Sequence, residues 1–294
     1  MSQTTSHIIL VEPRGFCSNP QTAITNTHQA DNPNDTSILQ EKALKEHRAF
    51  QELLRAKGIK LTVFEGQRKA PDDLFCNNWM MTRPEGYALF PMLAPNRRIE
   101  RRSDIQDSLL KPFIKDYSFY EAQDKYLEST GSLVLDHENK IAYAALSPRT
   151  DQELVQNWAE DFGYQPVMFK AYDTTGKPEY HTNVVMFIGS TLAGICYRNI
   201  DGRDLAKVKA SLEATHKVLE LTPEQITDFA GNALEVHNTQ GQRFLVMSKA
   251  GYASLTTPQK DLIKQHVDDV IVPDLTTIET YGGGSARCLM LEVF

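Results

Sequence analysis

Ser132–Leu135 (SLVL), Asp136–Lys140 (DHENK), Ile141–Leu146 (IAYAAL), Thr150–Phe162 (TDQELVQNWAEDF) and Pro166–Lys170 (PVMFK) follow one another as a single structural unit. Two apolar runs flank a polar turn, the pattern of a β-hairpin. Thr150-Asp151-Gln152-Glu153 reads as a capping box that opens a helix to about Phe162, and one more strand follows. The same order recurs. Val184–Ile188 and Leu192–Tyr197 flank Gly189-Ser190-Thr191; a helix from Asp201 to about His216 and a strand at Val218–Leu221 come next. Ala233–Val236 and Arg243–Met247 flank Asn238–Gly241; Thr257-Pro258 opens a helix to about His266, and Val270–Val272 is the strand. Hairpin, helix, strand at a period of roughly fifty residues signals a ring or an array.

A hairpin of Trp79–Thr82 and Tyr87–Pro91 gives a fourth unit. The fifth is assembled from both ends of the chain. The strand after Cys288 pairs with His7–Val11; a helix over Thr36–Lys57, with Ile38, Leu44, Phe50, Leu53 and Leu54 at helical spacing, leads through Gly58 to a strand at Ile59–Phe64. A ring closed by its own termini removes two exposed sheet edges. The expected fold class is therefore α/β, five modules in a single domain over residues 1–294.

At 294 residues the chain can bury a sizeable core. No apolar run is long enough to span a bilayer and the N-terminus has no signal-peptide pattern, so no membrane partner and a cytoplasmic location are expected. Cys17, Cys76, Cys196 and Cys288 lie far apart without C-x-x-C spacing, so neither a metal site nor a disulfide framework is indicated. A net charge of -7 without a basic, aromatic-rich stripe argues against nucleic acid. Arg14–Asp35 is polar and aperiodic, the composition of a lid or binding loop.

The chemistry gathers before the first strand of each hairpin. Those loops hold Asn77 and Asn78, then Glu128, then His181 and Asn183, then Asn232, and last Cys288 behind Gly282-Gly283-Gly284. Around an axis, they would meet. A thiolate nucleophile, an imidazole that moves a proton and a carboxylate that orients it make a working set. Read singly, each has a plainer alternative: Cys288 as a small apolar residue, Glu128 as a solvated charge, His181 as a satisfied loop histidine.

Gly282–Cys288, Tyr180-His181-Thr182-Asn183, Leu127–Ser132 and Pro71–Trp79 together resemble the guanidino-group modifying superfamily, which holds arginine deiminases, dimethylarginine hydrolases, amidinotransferases and arginine dihydrolases. The branch most similar is that of bacterial amidinotransferase-like hydrolases linked to citrulline use. The resemblance implies a five-bladed α/β propeller, pseudo-symmetric and closed by the termini. It also implies Cys288 as nucleophile, His181 as general acid and base, and Glu128 as the carboxylate holding the substrate nitrogen. Arg97 and Arg149 match positions that grip a substrate carboxylate, although as residues they read equally as surface charges. Asn19, in Asn19-Pro20, resembles a substrate-touching residue of the dihydrolases, within a lid at 14–35.

Where deiminases carry acids, this chain has Asn78 and Asn183. Amides weaken the grip on a fixed cation and suit a neutral ureido group, which makes citrulline a plausible substrate beside arginine. The expected activity is Cys-dependent hydrolysis of a linear C–N bond in a guanidino or ureido amino acid, giving ornithine or citrulline plus ammonia, with no cofactor or metal. An amidinotransferase using the same covalent intermediate and a non-catalytic binding protein of the same fold are the alternatives. The partner is a small amino acid, and assembly as a homodimer stays open.

Overall fold

The structure, a computed structural model, describes residues 1–32 and 35–294. β1 (His7–Glu12) runs parallel to β2 (Lys60–Glu65), with the helix Ser37–Ala56 crossing between them. β3 (Met80–Arg83) and β4 (Gly86–Leu89) form a hairpin, with β5 (Phe113–Asp116) parallel to β4. β6 (Val134–Asp136), β7 (Ile141–Ala145) and β8 (Gln165–Phe169) repeat the arrangement around the helix Gln152–Phe162. So do β9 (Met186–Ile188), β10 (Leu192–Ile195) and β11 (Lys217–Glu220) around Gly202–Glu213. β12 (Leu234–His237), β13 (Arg243–Val246) and β14 (Asp269–Ile271) do the same around Thr257–Lys264. β15 (Leu291–Glu292) returns to the N-terminal strand, setting Ile8 opposite Glu292 and Ile9 opposite Leu291. The result is five mixed sheets of three strands, one of them built from both chain ends.

Each core lies between two consecutive sheets. Ile9, Val11 and Leu291 pack on Met80 and Tyr87; Met81 and Phe90 on Leu135, Ala142 and Trp158; Tyr143 and Phe169 on Met186, Ile195 and Leu212. Phe187 and Leu219 meet Leu245 and Ile263, while Val236 and Phe244 meet Ile8, Leu10 and Phe50. Each large apolar side chain fully buried here stabilises the fold by roughly 1.5–3 kcal/mol. Alternation along three short strands exposes one apolar face to each neighbour, so no sheet is stable alone.

Several elements differ from the reading of the sequence. Asp151, not Thr150, caps its helix, accepting from the N–H groups of Glu153 and Leu154. Thr256, with Gln259 completing the box, caps Thr257–Lys264. The helix Ser37–Ala56 buries Leu39, Ala43, His47, Phe50, Gln51 and Leu54, leaving Ile38 and Leu53 50% and 40% exposed. Its inner face includes an alanine and two polar residues, which apolar spacing does not register. Thr182–Val185 is a helical turn rather than the start of a strand, because the Thr182 hydroxyl donates to the Ser132 carbonyl and accepts from the Ala145 N–H. Cys288 sits in a 3₁₀ turn, Ala286–Leu289, and Gly282 ends a helix, Thr276–Gly282, that the sequence pattern did not announce. Among the described residues, no helix is long and apolar enough to cross a membrane.

Candidate active site

The turns preceding β3, β6, β9, β12 and β15 are tied directly to one another. Asn77 donates to the Thr130 hydroxyl at 3.2 Å, and Asn183 donates to the Thr130 carbonyl at 3.2 Å. Asn232 donates to the Asn183 carbonyl at 2.8 Å and to Cys288 Sγ at 3.2 Å. One ladder of amides thus locks five segments distant in sequence. Ser129, which follows Glu128, holds φ 43° in the left-handed region that few non-glycine residues enter. Its hydroxyl donates to the Met80 carbonyl, which fixes the turn.

Glu128 and His181 are both buried and form a 2.8 Å hydrogen bond, Nε2 to Oε2. Burial removes the solvated-charge alternative for Glu128. Burial pushes the Glu128 carboxyl up, but the Arg149 charge and the His181 bond outweigh it and hold it at about 2. Burial lowers His181 to about 4 against the pull of Glu128. At neutral pH the pair is a carboxylate accepting from a neutral imidazole. His181 Nδ1 has no partner.

Cys288 lines a small pocket shared with Asp72, Asn78, Arg97, Arg149, Tyr180 and His181. Burial pushes its thiol up, partly offset by hydrogen bonds from the Ser285 turn and Asn232. Gly283, at φ 64°, bends the chain into the wall, where a Cβ would stand 2.5 Å from Asn26 Nδ2. Asn78 accepts from Arg97 through Oδ1 and leaves Nδ2 unpaired. Asp72 Oδ1 is unpaired as well. Among the described residues, an N–H donor, an imidazole lone pair and a carboxylate oxygen on three side chains that line one pocket therefore stand unsatisfied, an arrangement that buried polar groups tolerate when a ligand completes it.

The two arginines are buried, not surface charges, and both are engaged. Arg97 is paired with Glu100 at 2.8 Å and donates to the Asp72 and Phe75 carbonyls. Arg149 lies over the Tyr180 ring and donates to the Thr22 carbonyl and Thr25 hydroxyl, with Nη1 3.5 Å from Glu128. Thr22 and Thr25 belong to the expected lid at 14–35, of which Pro33 and Asn34 lie outside the described residues. Described residues of this segment are tied to the C-terminal part of the chain: Asn26 donates to the Gly283 carbonyl and the Ala30 N–H to the Thr280 carbonyl. Asn19 caps the short lid helix Pro20–Ala23 and donates to Asp72 Oδ2, so neither it nor Asn183 lines the cavity, although Asn183 Oδ1 is 3.8 Å from the sulfur. The reading of the sequence passed over Asp72, although it stands in the Pro71–Trp79 stretch.

Gly131 provides a direct test of this packing. A Cβ there would stand 2.5 Å from Asn78 Nδ2 and 2.8 Å from His181 Nδ1. Gly131→Ala displaces both unpaired groups, and a misplacement of that size lowers kcat about 10²-fold in a steady-state assay.

This geometry gathers a thiol, an imidazole and a carboxylate around one pocket. A family model described as N,N dimethylarginine dimethylhydrolase, eukaryotic, matches residues 12–294, and the chain belongs to that family, one of hydrolases acting on C–N bonds. A comparison with curated proteins finds no match. Among solved structures, ArgZ, an arginine dihydrolase from the ornithine-ammonia cycle in cyanobacteria, is similar with TM-score 0.77 at 15% identity, covering 98% of this chain and 40% of that one. AgrE, in complex with L-arginine, gives 0.79 at 16%, again over 98% and 40%. DDAH from Pseudomonas aeruginosa, complexed with citrulline, gives 0.69 at 14%, over 98% and 99%. The chain thus spans two fifths of the length of the full ArgZ and AgrE chains and nearly all of the bacterial DDAH.

Proposed function

We propose that this chain is a Cys-dependent hydrolase of a free guanidino or ureido amino acid, arginine or citrulline. The observation that carries this reading is the convergence of Cys288, His181 with its Glu128 partner behind it, and Asn78 on one pocket. The five interlocking cores support a closed, five-bladed ring that acts as one catalytic domain over residues 1–294. The lid segment must lift to admit the substrate, which then competes with Thr22 and Thr25 for the Arg149 fork.

Cys288 sulfur attacks the central carbon, and the π electrons move onto the carbonyl oxygen or imino nitrogen. The thiol proton passes to His181, where Glu128 stabilises the imidazolium. The tetrahedral adduct expels nitrogen with its bonding pair, and His181 protonates it as ammonia leaves. Water adds to the remaining thioester-like carbon, giving its proton to His181, and the C–S bond breaks. Arginine yields citrulline by this route; citrulline yields ammonia and the N-carboxylated ornithine, a carbamic acid whose C–N bond then breaks, the nitrogen keeping the electron pair and taking the acid proton, to release ornithine and carbon dioxide. Asn78 donates to a ureido oxygen, and Asp72 Oδ1 meets the substrate's α-ammonium.

Incubation with arginine, citrulline and dimethylarginine, scored for ammonia, citrulline and ornithine, tests the reading. Ammonia release in water without an added amine is expected; product formed only when glycine is present contradicts hydrolysis. Asp72→Asn removes the charge that meets the α-ammonium, so KM rises about 10–100-fold, the size of one hydrogen bond to a charged group, with kcat changed less.

A further inference from the structure

Resting on Cys288 as the nucleophile of the proposed reaction, we infer that Asn232 is a further catalytic residue, whose side-chain N–H stabilises the Cys288 thiolate. The sulfur has two polar side-chain neighbours. Asn183 presents its carbonyl oxygen at 3.8 Å, which accepts from the thiol but repels the anion. Asn232 presents Nδ2 at 3.2 Å, which donates to sulfur in either state and more strongly to the anion.

The orientation of the Asn232 amide follows from its own bonds. Oδ1 accepts the backbone N–H groups of Arg287 at 3.0 Å and Cys288 at 3.4 Å. Nδ2 donates to the Asn183 carbonyl at 2.8 Å. A flipped amide would set its nitrogen against two N–H groups and its oxygen against a carbonyl, losing all three bonds, so Nδ2 must face the sulfur. Asn232 is fully buried, which removes water as a competing donor.

The Arg287 charge helps to lower the thiol, but its guanidinium is engaged elsewhere. Arg287, the next residue along the turn, turns its guanidinium to Glu292 at 2.8 Å and to the Met290 carbonyl. His181 is neutral, and Arg97 and Arg149 are each matched by Glu100, Glu128 and the lid. Tyr180 gives its hydroxyl to the Gly283 carbonyl, and Asp72 adds only negative charge to the cavity. A buried thiolate facing this set depends on oriented dipoles, the backbone of the Ser285 turn and, among side chains, the amide of Asn232. The thiol form is held between both asparagines; loss of the proton breaks the Asn183 bond and strengthens the Asn232 bond.

The test is the pH profile of iodoacetamide alkylation, read by peptide mass at Cys288 with half-buried Cys17 as internal reference, in wild type, Asn232→Ala and Asn232→Asp. Asn232→Asp keeps the oxygen that holds the turn and deletes the N–H. Both variants are expected to raise the Cys288 midpoint by about one pH unit or more, cutting alkylation near neutral pH about tenfold, with Cys17 unchanged. A midpoint that stays in place in either variant while thermal stability drops makes Asn232 a structural residue only and overturns the proposal. Ammonia release is assayed in parallel: a wild type that hydrolyses no guanidino or ureido amino acid, yet shows the shift, defeats the proposed substrate class and leaves the role of Asn232 standing.

Discussion

Cys288→Ser lowers ammonia release from the preferred substrate by about 10⁴-fold or more while leaving substrate binding nearly intact. The size follows from the nucleophile's place in the sequence of steps: without sulfur no covalent intermediate forms, and serine at this site has neither the acidity nor the polarisability to replace it. Binding survives because the groups expected to hold the amino acid, Asp72, Asn78, Arg97 and Arg149, belong to other turns. A raised melting temperature in the presence of arginine or citrulline, with no ammonia, is the expected pair of readings. Ammonia release near the wild-type rate would remove sulfur from the mechanism.

Glu128→Gln is the second substitution with a large effect, and it acts on both stability and rate. The carboxylate accepts from the Leu93 N–H and from His181 and stands 3.5 Å from Arg149. An amide in its place leaves a buried arginine without its counter-charge, a loss of about 3–5 kcal/mol for broken buried pairs. Because Glu128 is held at about 2, below its ordinary 4.5, its ionisation stabilises the fold above pH 4.5. That contribution is lost as pH falls toward 2. The stability gap between wild type and variant, read from urea melts, should therefore narrow on acidification across that window. The rate falls about 10²–10⁴-fold, because the imidazolium that forms at His181 loses its anion.

The repeating modules were legible because their signals are local: a hairpin turn, a helix cap and an apolar alternation each occupy a few residues. Glu128, His181 and Cys288 stood out for the same reason, since all three precede the first strand of a repeat. The polar partnerships were not legible. Asp72 became visible as a cavity wall only once its Oδ2 was seen taken by Asn19 and Thr22 and its Oδ1 free. Arg97 and Arg149 read equally as carboxylate grips and as surface charges, because their pairing with Glu100, Glu128 and Thr22 lies in other stretches of the chain. The inner face of Ser37–Ala56 was misjudged because His47 is buried against Gln51, a pairing that hydrophobic spacing cannot report. In each case the missing information was a contact between segments, which no single stretch of sequence contains.

The most direct measurement is rapid-quench mass spectrometry of the Cys288 peptide during turnover of arginine or citrulline. A transient mass increase confined to that peptide, decaying as ammonia appears, is the expected result. Ammonia released with no adduct on Cys288, or with the adduct on Cys17, Cys76 or Cys196, would contradict the account.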